Sequence, residues 1–403
     1  MRMYSILIHP RGAVSRYLAA IQNGRLSTTI NAATKRIQGL IQSIRNLEDI
    51  NDNSPNWAIQ DGFLNFCGTT LALWLRALNQ DNSRSLLREY LAITLLVTNL
   101  SAQKIASSTP QPEIFQPGVI STGDFDTHIE FTPDQKQIFF LRLTPDYNLF
   151  WTMFESHLVQ GKWSTPQIAP FSGQFSDADP FITPDNKHLY FISNRPLDPK
   201  QTKPKDDFDI WVVDRQSNGG WGEPRNLGAP VNSSTSEYYP RMAADGTLYF
   251  GSERPGGKGN ADIWRSKRNP DGTYAEPENL GDAINTEENE FEPYIAPDQS
   301  YLIFMAKRKS GLGAGDLYIS YFRDGKWTQA ENLGEPINSS GYEFAPKFSP
   351  DGKYFYFTST RSIFSKPIGH RMTTAEFNKA LHGPGNSQGD IYRIDADALH
   401  LKK

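Results

Sequence analysis

Cysteine is all but missing from this sequence: Cys67 stands alone, which excludes an intramolecular disulfide and any cysteine-built metal cluster. Basic charge is not in excess either. A net charge of −4 leaves no global positive field to gather nucleic acid. Long hydrophobic runs are absent, and a mean hydropathy of −0.54 argues against a polytopic membrane protein and for no stable membrane span. What the chain does hold in quantity is 31 Gly, 27 Pro and 12% aromatic residues. That mixture suits many short strands joined by tight turns, because Gly and Pro supply the backbone angles that turns need.

The first quarter reads differently from the rest. Residues 13–48 read as a helix with a basic side (Arg16, Lys35, Arg36, Arg45), and 61–79 as a more apolar helix containing Trp74. Residues 1–83 are therefore expected to be a helical N-terminal extension. The following segment, 84–111, opens with Arg84 and Arg88, continues in the apolar run 90–97 and reaches small residues at Ser101 and Ala102. A basic start, roughly 11 apolar positions and a small-residue cleavage point resemble a secretory signal. Two readings stay open: translation starts near Leu86 or Leu87 and the protein is exported, to the periplasm or outside the cell, or the segment is an ordinary buried helix. A linker at 107–112 then leads into the main domain, 112–403.

That domain is repetitive, and the repeat decides the fold. Five segments begin with an acid: DTHIEFTPD at Asp126, DADPFITPD at Asp177, EYYPRMAAD at Glu237, EFEPYIAPD at Glu290 and EFAPKFSPD at Glu343. Each is followed by a turn, an aromatic-rich strand such as HLYFISNR or YFYFTSTR, and a third strand such as DIWVVDR or DIYRIDA. A fourth opens with an aromatic residue (Trp163, Trp221, Tyr274, Trp327) and runs toward Asn-Leu-Gly. Four short strands recurring every ~50 residues describe the blade of a β-propeller. The fifth copy ends after its third strand, and PEIFQPGVIS at 112–121 resembles the missing fourth. The expectation is an all-β, five-bladed propeller of four-stranded blades, closed by pairing its N- and C-terminal strands.

The strings DIW, SxR and Pro-Asp-Gly resemble the TolB-type, WD40-like propeller repeat over residues 112–403. The resemblance implies a propeller of the kind found in bacterial periplasmic proteins that bind other proteins, and within several hydrolases and lyases. It fixes no mechanism, and five copies depart from the six blades of the family's type member.

Strand order puts three repeated groups on one face: the acids, the Arg ending the second strand and the Asp opening the third. Four blades carry both charges of the last two groups, as Arg195 with Asp209, Arg254 with Asp262, Arg308 with Asp316 and Arg361 with Asp390. Blade one has Thr144 and Asn148 instead. Joint loss suggests salt bridges between adjacent strands, a structural role. The acids Asp126, Asp177, Glu237, Glu290 and Glu343 persist in blade one without that Arg, so they are read as a central ring. They either cap neighbouring turns or hold a cation or cationic ligand, and Ca²⁺, which takes six to eight oxygens, would suit them. Catalysis by central carboxylates, in a hydrolase or lyase acting on saccharide or peptide, is the rival reading. Repetition with the blades speaks for architecture instead.

The glycine-rich turns 256–262 and 311–316 lack the strand-to-helix context of a phosphate loop and read as hairpins. Symmetry breaks at two insertions on the acid face. Residues 196–206 are rich in Pro and Lys. Residues 362–388 contain His370, Arg371, His382 and a helical stretch at 373–381. Loops of that length are commonly functional, and those three side chains are the expected loop contacts; the histidines have no zinc-ligand spacing. The function expected is that of an exported, non-enzymatic binding or scaffold propeller. It would take a protein or saccharide on the acid face, with no cofactor beyond that cation.

Overall fold

The computed structural model describes residues 110–144, 150–365 and 367–402. The expected helical extension 1–83, nearly all of the signal-like segment 84–111, and Asn148 lie outside the described residues. The regular structure among them is almost entirely strand, in five antiparallel sheets. Blade one consists of Phe125–Phe131, Gln137–Leu143, Trp151–Val159 and Gln167–Ile168; blade two of Asp177–Ile182, His188–Ser193, Asp209–Asp214 and Arg225–Asn226. Blade three comprises Glu237–Met242, Leu248–Ser252, Asp262–Ser266 and Glu278–Asn279, and blade four Glu290–Ile295, Tyr301–Ala306, Asp316–Arg323 and Glu331–Asn332. Blade five holds Glu343–Phe348, Tyr354–Ser359 and Asp390–Asp395, completed by Glu113–Ile114.

The closing strand pairs antiparallel with the third strand of blade five, Glu113 opposite Arg393 and Ile114 opposite Tyr392. The five first strands touch one another in order, and that of blade five touches that of blade one. The sheets thus form a closed ring, in which each blade keeps only short edges, one toward the axis and one at the rim.

Short strands buried on both faces explain the composition. The second strands carry Phe140, Phe191, Phe250, Phe304 and Phe357 at one repeated position, each essentially inaccessible to solvent. Rings at that depth exclude water from between the blades, and this burial is the main term stabilising each blade against its neighbours. The aromatics Trp163, Trp221, Tyr274 and Trp327 precede the fourth strands and pair back on the third: Trp163 opposite Leu158, Trp327 opposite Phe322, Trp221 opposite Arg215 and Tyr274 opposite Arg268.

A buried Asn substitutes for ladder bonds where the fourth strand leaves the sheet. The Asn285 side chain accepts from Ile263 N at 2.8 Å and donates to Ile263 O at 2.9 Å. Asn232 serves Ile210 and Asn338 serves Leu317 in the same way. In blade five Ser121 takes this position, its Oγ bonding both Ile391 N and Ile391 O. A primary amide offers the donor and acceptor that a backbone group would, so the strand end is satisfied without another strand.

Candidate functional site

The five acids head the first strands and are wholly buried. Each accepts from the Ser or Thr four residues upstream, or from an Arg of its own blade, or from both. Glu237 accepts from Ser233 N at 3.1 Å, Ser233 Oγ at 2.6 Å, Ser252 Oγ at 3.0 Å and Arg254 Nη2 at 3.1 Å. Glu290 bonds Thr286 and Arg308, and Glu343 bonds Ser339, Ser359 and Arg361. Asp177 pairs with Arg195 at 2.6 Å, and Asp126 with Arg142 at 2.7 Å. Burial raises the carboxyls of Asp126, Asp177, Glu237 and Glu290, and the arginines and hydroxyls oppose it.

This arrangement corrects two expectations. The second-strand arginines do not pair with the third-strand aspartates. Arg195, Arg254, Arg308 and Arg361 pair with Asp177, Glu237, Glu290 and Glu343. Nor does blade one lack the arginine: Arg142, directly opposite Asp126 in the ladder, supplies it from two residues earlier than its counterparts. Each guanidinium also lies over its blade's aromatic pair, as Arg254 does over Phe250 and Trp264 at 5.0 and 5.5 Å. It further donates to a carbonyl in the turn ending the preceding blade: Arg195 to Phe171 O, Arg308 to Ile284 O, Arg361 to Ile337 O. The arginine therefore fastens consecutive blades. Carboxylate oxygens spent on such donors do not fit a shared Ca²⁺, and no hydrogen bond joins one acid to another. Among the described residues no three His, Cys, Asp or Glu side chains gather as a metal site.

The third-strand aspartates hold the loops that precede them. Asp262 accepts from Lys258 N, Gly259 N and Asn279 Nδ2. Asp316 accepts from Leu312 N, Gly313 N and Asn332 Nδ2. Asp209 takes Lys205 Nζ and Asn226 Nδ2. The two glycine-rich turns are thus hairpins folded round a carboxylate. Gly311 must be glycine, because a Cβ there would lie 2.6 Å from Asp316 Oδ2.

The axis itself is lined by residues that the repeat reading passed over. Every first strand has a register shift just after its start. The second residue after each acid sits in the bulge at positive φ: His128, Asp179, Tyr239, Glu292 and Ala345. Pro follows in four of the five, its missing N–H tolerated in a bulge. These residues meet across the ring. His128 Nε2 lies 3.1 Å from Asp179 Oδ1 and 3.2 Å from Glu292 Oε1. The other oxygens accept from Tyr239 N and Ala345 N, and Tyr239 OH donates to Pro346 O. A second tier lies two residues further on. Lys347 Nζ is 2.6 and 2.8 Å from the Glu130 oxygens, and Arg241 Nη2 is 3.9 Å from Oε2.

These axial groups are buried. Burial disfavours an imidazolium, yet the Asp179 and Glu292 carboxylates outweigh it and raise His128. Burial raises Asp179 as well. His128 and Asp179 therefore each hold a proton to higher pH than they would in water. With the imidazole protonated, three cationic groups balance Glu130, Asp179 and Glu292. Sequence did carry a signal for them: H, D, Y, E, A and E, F, R, Y, K are non-repeating positions inside a repeating strand.

The loop candidates do not converge. His370 is exposed and 3.7 Å from Glu376, Arg371 is exposed, and His382 caps the C-terminus of the helix Thr374–Leu381. That helix buries none of its residues. A groove of about 610 Å³ lies on the opposite face between blades one and two, lined in part by Asp134, Glu155, His157 and Trp221. Its indole is already covered by the Arg215 guanidinium, 4.2 Å from the ring centroid.

Ring closure and the axial tiers together define a five-bladed β-propeller. No protein-family model matches the chain, and no curated protein sequence does. Among solved structures it is similar to TolB from Acinetobacter baumannii, at 16% identity and a TM-score of 0.38 over 68% of this chain and 55% of that one. It is likewise similar to an α-L-arabinofuranosidase from Lactobacillus brevis, at 11% identity and a TM-score of 0.39 over 69% of this chain and 92% of the other. The matched region of TolB is about half its length. These likenesses concern the fold. No described helix is long and apolar enough to cross a membrane.

Proposed function

We propose that the chain is an exported, non-enzymatic binding propeller that docks a partner protein on the acid face through the excursion 362–388. One observation carries the reading. Of the thirteen exposed large hydrophobic side chains among the described residues, five fall within this excursion: Ile363, Phe364, Ile368, Phe377 and Leu381. Phe364 and Phe377 lie with ring centroids 6.0 Å apart. Apolar side chains gathered on a rigid scaffold mark an interaction surface. Arg371 and Lys379 stand exposed beside them, while the nearby Glu376 is engaged in capping the helix through Thr373. The partner that fits is a protein segment with apolar side chains flanked by carboxylates. A hydrolase built on the central carboxylates draws less support, because those groups are buried and bonded to their own blades. Export rests on the basic-then-apolar order of residues 84–102.

The test is capture from a periplasmic extract, followed by titration of the purified partner. Wild-type protein should bind it, and a variant with 363–384 replaced by a short Gly-Ser linker should not, its circular dichroism unchanged. Equal binding by both would refute the reading. Self-association abolished by the same replacement would assign the surface to a second copy instead.

A further inference from the structure

Blade five contains one departure that the other blades throw into relief. Asp209, Asp262 and Asp316 each receive an amide N–H from the fourth-strand Asn226, Asn279 or Asn332. Those asparagines sit opposite Trp211, Trp264 and Tyr318. The equivalent residue opposite Tyr392 is Ile114. Asp390 is wholly buried and its Oδ1 has no hydrogen-bond partner. Its Oδ2 accepts from Gly385 N at 2.6 Å.

Gly385 is the foot of the excursion. Its carbonyl accepts from Ile363 N at 3.0 Å, tying the two stems together. Next to it, Asn386 donates to Gly123 O, and Gly389 O accepts from Asp126 N, so the foot also joins blade five to blade one. We infer that Asp390 is a proton-operated latch: its neutral carboxyl holds the foot of the excursion and the closing seam, and its ionised form loosens both. The link to partner docking rests on the function proposed above; the latch itself does not.

The charged surroundings agree. Burial pushes Asp390 up to about 7, Gly385 N–H opposes this, and the Asp126 carboxylate pushes it further. Asp126 is itself held by Arg142 and Thr122. Further along the same strand, Arg361 and Glu343 pair with each other and flank Tyr392, and Arg393 pairs with Glu113 of the closing strand. A buried carboxylate with a single donor is poorly solvated, so ionisation favours any motion that admits water.

The experiment follows the backbone amide resonance of Gly385 in the chain alone, between about pH 5 and about pH 9. Wild-type protein should show a transition centred near 7. Asp390→Asn should abolish it, and Ile114→Asn, which restores the donor of the other blades, should move it down by about one pH unit or more. A flat wild-type profile, an unchanged transition in Asp390→Asn, or an unmoved one in a folded Ile114→Asn would each overturn the latch. With no partner in the sample, failure here is distinct from failure of the docking proposal.

Discussion

Removing Lys347 tests whether the axial charges act as one balanced set. Its ammonium lies 2.6 Å from one Glu130 oxygen and 2.8 Å from the other. At an effective dielectric constant of about 20 this attraction is worth about 6 kcal/mol before desolvation. Lys347→Met refunds the desolvation of the ammonium but leaves Glu130 buried, with Arg241 3.9 Å away as its nearest remaining cation. Breaking one side of such a pair typically costs about 3–5 kcal/mol. For a domain this large that is roughly 6–10 °C in Tm. Glu130→Gln should cost a similar amount by leaving Lys347 and Arg241 to repel each other. The double variant should be no less stable than either single one, a coupling of at least ~3 kcal/mol. Guanidinium unfolding of the four proteins gives the cycle. Additive losses, or a Lys347→Met loss below about 0.5 kcal/mol, would refute the idea of a balanced axis.

His128 should make stability pH-dependent: its folded value is raised, so its contribution is complete below about 6.5 and fades as pH rises through the folded value. The difference in Tm between wild type and His128→Gln, followed against pH, should therefore shrink on the alkaline side. Asn285→Ala strands both backbone groups of Ile263 and should cost about 2–5 kcal/mol by denaturant titration. Asn285→Ser should recover part of that, as Ser121 serves Ile391 in blade five. Phe364→Ser with Phe377→Ser should leave stability within about 0.5 kcal/mol of wild type and weaken partner binding at least about tenfold in calorimetry.

Blade number, strand order and ring closure were legible because each depends on a repeat and on a chain segment left over, PEIFQPGVIS. The pairing of charges was not. Arg361 ends the second strand, whose Ser359 stands opposite both Glu343 and Asp390, so strand adjacency permits either partner. What decides is competition: fourth-strand asparagines hold three of the four aspartates, helped by turn N–H groups at Asp262 and Asp316 and by the Lys205 ammonium at Asp209, and a turn N–H holds Asp390. Arg142 escaped notice by sitting two positions early. The axial residues were hidden by the bulge, which breaks the two-residue alternation that sequence reading relies on. The acids head the strands that border the axis, but a positive φ two residues later turns other side chains inward.

Closure by residues 113–114 has a bearing on biosynthesis. Glu113 and Arg393 are joined by a hydrogen bond spanning 280 positions of sequence. On the ribosome the closing strand, made ahead of every blade, must wait unpaired until the third strand of blade five has emerged. The toroid cannot finish blade by blade; four modules can assemble in turn, but the circle locks only when the latest-made strand finds the earliest.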